Sequence, residues 1–278
     1  MQWGVSSLVD QALAEDVGAG DLTTEATVPA DARCRASLAA KADGVLSGID
    51  LFRAVFDRAG ADMRDWRAAD NGARIAAGDI AASFTGLTRA VLTGERVALN
   101  LVQRLSGVAT LTARYCEAIA GAGATIVDTR KTTPLLRQWE KAAVRHGGGR
   151  NHRFALFDGV LIKDNHIVAA GGIRAAVEAA RANTHHLVRV EVETTSLAEV
   201  DEAVAAGADA ILLDNMSTEL MKQAVTRVAG TGIVLEASGD MSIERVREVA
   251  ETGVSLISVG ALTHSAPALD LSLRIENE

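Results

Sequence analysis

A cluster of basic side chains lies between Asp128 and His166, in a chain that is otherwise acidic. The protein has 278 residues and a formal net charge of −8, yet three of its five lysines fall in this segment. Its basic residues and histidines are Arg130, Lys131, Arg137, Lys141, Arg145, His146, Arg150, His152, Arg153, Lys163 and His166. Arg binds carboxylate or phosphate through a planar fork, and Lys through a compact charge. This local surplus predicts an enzyme site for a small, multiply anionic substrate.

Short apolar runs recur after Ala124, and amphipathic stretches separate most of them. The runs are Thr125–Val127, Val160–Ile162, Val188–Val192, Ala210–Leu213, Ile233–Leu235 and Leu256–Val259. The later stretches are Ile173–Ala182, Ser196–Ala206, Ser217–Ala229 and Ser242–Glu251. This alternation predicts a parallel sheet with crossover helices. Six strands can be counted, which does not demonstrate a closed eight-stranded barrel. A barrel, complete or with a strand missing, is still favoured over an open sheet.

Polar residues follow these runs at the carboxyl end of each predicted strand, where α/β barrels build their active sites. Arg130, Lys131, Arg153 and Lys163 flank strand ends and are the predicted ligands of the anion. By contrast, Arg137, Glu140, Lys141 and Arg145 also fit a solvated, salt-bridged helix. Glu193 and Asp214 either hold Mg²⁺ through waters or brace the nearby cations. Ser238-Gly239 and Gly260 are either phosphate-binding loops or tight turns.

The first third of the chain has a different pattern. Helical periodicity covers Val5–Glu15, a strand is predicted over Cys34–Ala40, and a helix over Leu51–Ala59. A long helix is predicted from Thr88 to Ala120, with an interruption near Ser106-Gly107. Short strands and helices that do not strictly alternate favour an α+β domain.

Composition excludes several classes of function. The negative net charge argues against a nucleic-acid or anionic-membrane surface, and no apolar run approaches the roughly 20 residues that span a bilayer. No secretory signal is visible in Met1–Gly20. Cys34 and Cys116 stand outside any metal-ligand spacing and are expected to be reduced thiols. These features predict a cytoplasmic protein.

Several motifs closely resemble the quinolinate phosphoribosyltransferase family. They are Asp128-Thr129-Arg130-Lys131-Thr132-Thr133-Pro134, Gly147-Gly148-Gly149 with Asn151-His152-Arg153, and Leu161-Ile162-Lys163-Asp164-Asn165-His166. The likeness extends over nearly the whole chain, from Gly20-Asp21-Leu22-Thr23-Thr24 to Glu236-Ala237-Ser238-Gly239.

The resemblance implies decarboxylating transfer of phosphoribose from phosphoribosyl pyrophosphate to quinolinate, giving nicotinate mononucleotide for NAD synthesis. The implied catalytic residues are Lys163, Glu193 and Asp214, the last two also as Mg²⁺ ligands. The implied substrate ligands are Arg130, His152, Arg153 and Lys163 for the carboxylates, Lys131 by the ribose and pyrophosphate, and Ser238, Gly239, Gly260 and His264 for the 5-phosphate. Arg96 would come from the neighbouring subunit of a homodimer.

The resemblance also implies an α/β fold in which an N-terminal α+β sandwich domain precedes an incomplete, TIM-like α/β barrel. We expect the sandwich over residues 1–112 and the barrel over 113–265, with a C-terminal segment, 266–278, that packs back on the N-terminal domain.

The chain departs from the usual family sequence at three positions. Leu135 and Asp240 replace glycines, and Ala142 replaces a tyrosine. Two alternatives to the proposed activity remain: a related protein class associated with molybdenum transport, and a barrel of another class, either a Schiff-base lyase or an anion-binding sensor. The stretch Lys163–His166 tells against the first of these.

Overall fold

A computed structural model describes the chain from Trp3 to Glu278, with side chains from Ser7 onward. The described residues fall into two compact units. The first contains the residues up to Leu111 together with Thr133–Gly148 and Ala266–Glu278, and the second contains Thr112–Thr132 and Gly149–Ser265.

The helices and strands are numbered in chain order. Up to residue 118 they are α1 (Trp3–Val17), α2 (Leu22–Thr27), β1 (Arg33–Ala40), β2 (Gly44–Val45), α3 (Ile49–Ala59), β3 (Arg64–Ala68), β4 (Arg74–Ile75), β5 (Ile80–Leu87) and α4 (Thr88–Ala118). After it they are β6 (Thr125–Val127), α5 (Arg137–His146), β7 (Val160–Ile162), α6 (Asp164–Ala170), α7 (Ile173–Asn183), β8 (Val190–Thr194), α8 (Leu197–Ala206), β9 (Ala210–Asp214), α9 (Thr218–Val228), β10 (Val234–Ser238), α10 (Ile243–Ala250), β11 (Leu256–Ser258), α11 (Ala261–His264) and β12 (Leu271–Asn277).

The first unit is built on a four-stranded antiparallel sheet in the order β12-β1-β5-β3. Its core contains the buried rings of Phe52, Phe56 and Phe84. Phe56 lies 5.0 Å from each of the other two rings, measured between centroids. The chain's last strand, β12, pairs along β1 from Ala40 with Leu271 to Cys34 with Asn277. The predicted α+β domain is confirmed.

The segment around α5 groups with the first unit, although the sequence placed it in the barrel range 113–265. Glu140 explains this grouping. It is fully buried, and its carboxylate accepts hydrogen bonds from Arg104 Nη2 at 2.8 Å and Thr133 N at 2.9 Å. A buried carboxylate needs such partners, and they belong to this unit. Glu140 is therefore a structural residue and not part of a solvated helix face.

The long helix α4 runs from Thr88 to Ala118 as one helix, so the predicted interruption near Ser106-Gly107 is wrong. Gly107 instead allows the segment at Pro267 to pack closely against α4. A Cβ at this position would overlap the carbonyl group of Pro267. The glycine therefore lets the C-terminal segment approach the helix backbone.

The second unit is a six-stranded parallel sheet in the order β6-β11-β10-β9-β8-β7. Helices connect successive strands from β7 to β11, and the side chains of Ser196, Ser217 and Ser242 cap α8, α9 and α10. In the part of the chain that the structure describes, no ladder joins the edge strands β6 and β7. This is the predicted incomplete barrel, and it is confirmed.

Two further sequence features have structural counterparts. Among residues 3–278, no helix combines the length and the apolar character needed to cross a membrane. Cys34 and Cys116 are both free thiols, and burial raises the pKa of each.

Leu135 adopts a strained backbone conformation. Its φ is +66° and its side chain is 83% exposed, so no packing offsets the steric cost of the left-handed region, about 1–2 kcal/mol for a residue with a Cβ. Replacing Leu135 with Gly is expected to raise the free energy of unfolding by about 0.5–1 kcal/mol, because the entropic cost of Gly offsets part of the relief. Urea denaturation measures this change.

The matched control is Leu187→Gly, since Leu187 is also exposed, at 77%, but is not among the residues with positive φ. This control should lower stability or leave it unchanged. Equal shifts in the two variants would show that backbone strain at Leu135 is not the cause.

Candidate active site

A cavity of about 880 Å³ opens in the second unit. Its lining contains every site residue predicted from the sequence except Arg96, namely Arg130, Lys131, His152, Arg153, Lys163, Glu193, Asp214, Ser238, Gly239, Gly260 and His264. They meet there because parallel strands present their carboxyl ends at one edge of the sheet. Neighbouring strands are in register at this edge, with Ser238 paired to Asp214.

The cavity holds a close pair of opposite charges. Lys163 Nζ lies 2.5 Å from Glu193 Oε2, with the lysine side chain 46% exposed and the glutamate side chain 13% exposed. On the next strand, Asp214 accepts a hydrogen bond of 2.9 Å from Asn215 Nδ2. Two carboxylates from adjacent strands and one ammonium group thus face the same space, which suits both a cationic reaction centre and an anionic leaving group.

Arg153 supplies a half-buried positive charge. Its Nη1 donates to Gly159 O at 2.8 Å, while its buried Nε has no hydrogen-bond partner. Burial lowers the pKa of this guanidinium, and the nearby charge of Arg130 lowers it further. Two guanidinium groups in proximity, one with an unused donor, indicate a binding position for an anion.

Gly239 and Gly260, the two glycines that line the cavity, have little room for a side chain. Gly239 has a φ of +93°, and a Cβ there would overlap the side chain of Asn215. A Cβ on Gly260 would lie 3.0 Å from Lys131 Cδ and 3.2 Å from His264 Nε2. Lys131, Gly260 and His264 therefore converge on one corner of the cavity, leaving exposed backbone beside two basic side chains.

His152, Glu191 and Glu236 form a cluster of titratable groups, of which His152 and Glu236 line the cavity. The sequence predicted no role for the two glutamates. His152 Nε2 lies 2.9 Å from Glu191 Oε2 and 3.6 Å from Glu236 Oε2. Asp128, which is fully buried, accepts a hydrogen bond of 2.9 Å from His152 N. Burial and the neighbouring Glu191 raise the pKa of Glu236 to about 7.

A sequence signal for these glutamates did exist. Glu191 precedes Glu193 by two residues, and Glu236 precedes Ser238 by two, so each lies on the same strand face as a predicted site residue. A carboxylate inside an apolar strand is rarely buried without a function or a partner.

Arg96 is not part of this cavity. It lies on α4 in the first unit and lines a separate cavity of about 360 Å³ together with Asp16, Asp21 and Thr93. Thr93 Oγ1 donates to Asp21 Oδ2 at 3.1 Å there. The structure therefore does not bring Arg96 together with the other predicted site residues.

Two family models match the chain. Residues 21–106 match the N-terminal domain of quinolinate phosphoribosyl transferase, and residues 108–274 match its C-terminal domain. The probable nicotinate-nucleotide pyrophosphorylase [carboxylating] of Bacillus subtilis (strain 168) is 40% identical over 271 residues, which is 98% of this chain and 93% of the relative. The nicotinate-nucleotide pyrophosphorylase [carboxylating] of Mycobacterium leprae (strain TN) is 42% identical, covering 95% of each chain.

Solved structures agree with these matches over the full length. NadC from Streptococcus pyogenes is 41% identical, with a TM-score of 0.95 over 100% of this chain and 98% of that one. The nicotinate-nucleotide pyrophosphorylase from Francisella tularensis is 38% identical, with a TM-score of 0.94 over 98% and 96% of the two chains. Sequence motifs, fold and relatives together show that this chain belongs to the quinolinate phosphoribosyl transferase family.

Proposed function

We propose that the protein transfers phosphoribose from phosphoribosyl pyrophosphate to quinolinate, releasing pyrophosphate and CO₂ and forming nicotinate mononucleotide for NAD synthesis. The observation that carries this proposal is the composition of the cavity. The half-buried Arg153 retains an unused donor at its buried Nε beside Arg130, and carboxylates line the adjacent strand ends. A pyridine dicarboxylate and a sugar phosphate need this combination of charges. The related proteins are named for the same reaction.

The residues divide into three groups around the two substrates. Quinolinate carboxylates bind to Arg130, His152, Arg153 and Lys163. The ribose and pyrophosphate lie near Lys131, Glu193 and Asp214, and the 5-phosphate lies against Ser238, Gly239, Gly260 and His264. All three groups line one cavity, and in this proposal the pyridine nitrogen and the anomeric carbon meet between them. Holding the two reacting atoms in line can lower the activation free energy of such a reaction by up to about 7–11 kcal/mol.

Glu193 and Asp214 fit Mg²⁺, the proposed cofactor. They supply carboxylate oxygens from adjacent strands, the donor type that Mg²⁺ prefers, and few enough of them to leave positions for waters and phosphate oxygens. Bound Mg²⁺ would neutralise the charge that develops on pyrophosphate.

No side-chain nucleophile is required for this reaction. The pyridine nitrogen attacks the anomeric carbon as pyrophosphate leaves, and Glu193 and Asp214 stabilise the positive charge on the ribose. Lys163 holds a substrate carboxylate and counters the charge of Glu193, at 2.5 Å. The alkylated ring nitrogen then withdraws electrons from the adjacent carbon, whose carboxylate leaves as CO₂.

The proposed functional unit is a homodimer in the cytoplasm. Each cavity receives Arg96 from the partner subunit as a further ligand for a quinolinate carboxylate. Arg96 belongs to the first unit and is not among the residues that line the cavity in its own chain, which supports this arrangement. An Arg supplied by a partner would couple dimer formation to substrate binding.

The proposal is tested by product formation from purified protein and Mg²⁺. Nicotinate mononucleotide is expected only when quinolinate and phosphoribosyl pyrophosphate are both present, and nicotinate is not expected to replace quinolinate. Formation of a nucleotide from another acceptor, with none from quinolinate, would favour the related class associated with molybdenum transport. Absence of any nucleotide product would favour a lyase or an anion sensor.

Asp240 is expected to weaken binding of the 5-phosphate. It lines the cavity next to Ser238-Gly239 and has a φ of +39°. Replacing Asp240 with Gly removes a negative charge and a strained backbone conformation, so the KM for phosphoribosyl pyrophosphate is expected to fall by about two- to five-fold. Steady-state kinetics at low ionic strength measure this change.

Asp65→Gly is the matched control, because Asp65 is an exposed aspartate with a φ of +53° in the first unit. It should leave this KM unchanged. An unaltered KM in Asp240→Gly would show that the Asp240 carboxylate points away from the phosphate.

A further inference from the structure

The hydrogen bonds of His152 determine which of its ring nitrogens carries a proton. The backbone N–H of Arg153 donates to His152 Nδ1 at 2.7 Å, so Nδ1 is an acceptor and has no hydrogen. The proton of the neutral ring is then on Nε2, which donates to Glu191 Oε2 at 2.9 Å. The single N–H of the imidazole is thus used for the hydrogen bond to Glu191. It is not available to Glu236, whose carboxyl oxygens have no hydrogen-bond partner.

Glu236 occupies an unusual environment for a carboxyl group. Its residue is 1% exposed, and neither side-chain oxygen has a hydrogen-bond partner. Around it lie the carboxylates of Glu191 and Asp128, which raise its pKa, and the imidazole of His152 and the hydroxyl of Ser258, which lower it less than burial and Glu191 raise it; this hydroxyl donates to Ala237 O at 3.4 Å. An ionised Glu236 would be buried close to two other carboxylates, with a neutral His152 ring 3.6 Å from it.

The neutral carboxylic acid is therefore the form of Glu236 that this environment favours. Its pKa of about 7 agrees with that geometry. A protonated carboxyl group in a substrate cavity can act as a general acid, as carboxyl groups do when apolar or acidic surroundings keep them neutral.

The proposed reaction requires one proton after CO₂ has left. The bond between ring carbon C2 and its carboxylate breaks, CO₂ departs, and the electron pair stays on C2. A new C2–H bond must then form, and without a nearby acid the carbanion recaptures CO₂.

We propose that Glu236 is the catalytic acid that donates this proton to C2, leaving a carboxylate that regains its proton from solvent after the product departs. This inference rests on the proposed function. Carbon C2 lies between the ring nitrogen, which faces the ribose, and a carboxylate held by the His152 and Arg153 group. Glu236 is 3.6 Å from His152 Nε2 and two residues before Ser238 on β10, which places it between the quinolinate and 5-phosphate positions.

The test is Glu236→Gln, an isosteric side chain that lacks an acidic proton, with release of pyrophosphate and of CO₂ measured separately in a single turnover. Pyrophosphate release is expected to stay within about three-fold of the wild type, while CO₂ release slows at least about a hundred-fold, the lower range for loss of a general acid. A mononucleotide that retains both carboxylates should accumulate. The exposed Glu178→Gln, on α7, is the control and should behave as wild type.

The pH dependence supplies a measurement that needs no variant. CO₂ release by the wild type should be fast below about pH 7 and slow above it, because Glu236 loses its proton there. The rate of pyrophosphate release should not fall in this pH range. Unchanged CO₂ release in Glu236→Gln, a parallel loss of both products, or a wild-type CO₂ step that does not change around pH 7 would each overturn the assignment. Failure of the wild type to release pyrophosphate from the two substrates would instead contradict the proposed function itself.

Discussion

Replacing Lys163 with Ala is expected to lower kcat/KM for nicotinate mononucleotide formation by about a hundred- to a thousand-fold, the usual cost of removing one preorganised charge from a reaction centre. Two effects combine in this variant. Quinolinate loses a carboxylate ligand, and Glu193 loses the ammonium group 2.5 Å from its carboxylate. Initial rates with each substrate varied in turn measure the change. Circular dichroism should show an unchanged fold, because the Lys163 side chain is 46% exposed.

Lys222→Ala is the matched control, since Lys222 is an exposed lysine on α9 in the same unit, and its activity should equal that of the wild type. Nearly wild-type activity in Lys163→Ala would remove Lys163 from the site. Borohydride treatment of the wild type with either substrate should trap no adduct. A reduced adduct at Lys163 would instead support a Schiff-base mechanism.

Mixing two inactive variants, Arg96→Ala and Lys163→Ala, is expected to restore activity. If Arg96 acts in the partner's cavity, each mixed dimer has one complete site and one that lacks both residues. Random reassortment into dimers would then make about a quarter of all sites complete, as two-fold symmetry requires. Activity should therefore rise from near zero towards about a quarter of the wild-type value after the subunits exchange.

The control for this experiment combines Lys163→Ala with Asp214→Ala. Both residues line the same cavity within one chain, so no mixed dimer has a complete site and no activity should return. Rescue in this control would point to reversion or contamination. No rescue in the Arg96 mixture, after exchange has been verified, would count against the shared site.

Sequence periodicity predicted the second unit well because its signals are local. Ser196, Ser217 and Ser242 each begin a predicted amphipathic stretch, and each caps a helix through its side chain. The apolar runs became strands with most boundaries within about two residues, the usual uncertainty at element ends; β10 extends three residues beyond its run, to Ser238. The polar residues after each run then had to meet at one edge of the sheet.

Structural features that depend on contacts between residues far apart in the sequence could not be predicted from local sequence patterns. Gly107 was interpreted as a helix interruption, and its reason for lacking a side chain, Pro267, lies far along the chain. Glu140 belongs to a buried network with Arg104, although its spacing from Arg137 also fits a surface ion pair. Glu236 shares a strand face with Ser238, which the sequence does show, but its burial and its like-charged neighbours depend on residues far along the chain.

Two of the three departures from the family sequence share a backbone conformation. Leu135 and Asp240 stand where the family usually has glycine, and both have positive φ, at +66° and +39°. The backbone thus keeps a conformation that suits glycine even though the side chain has changed. We therefore expect Leu135 to affect stability through backbone strain and Asp240 to affect phosphate binding as well. The residues proposed to bind quinolinate still line the cavity.

Release of CO₂ from quinolinate labelled in its C2 carboxylate tests the central claim most directly. With Mg²⁺ and phosphoribosyl pyrophosphate, the wild type is predicted to release one labelled CO₂ for each pyrophosphate, and none when phosphoribosyl pyrophosphate is left out. Pyrophosphate without labelled CO₂, or labelled CO₂ that does not depend on phosphoribosyl pyrophosphate, would contradict a decarboxylating phosphoribosyl transfer by this protein.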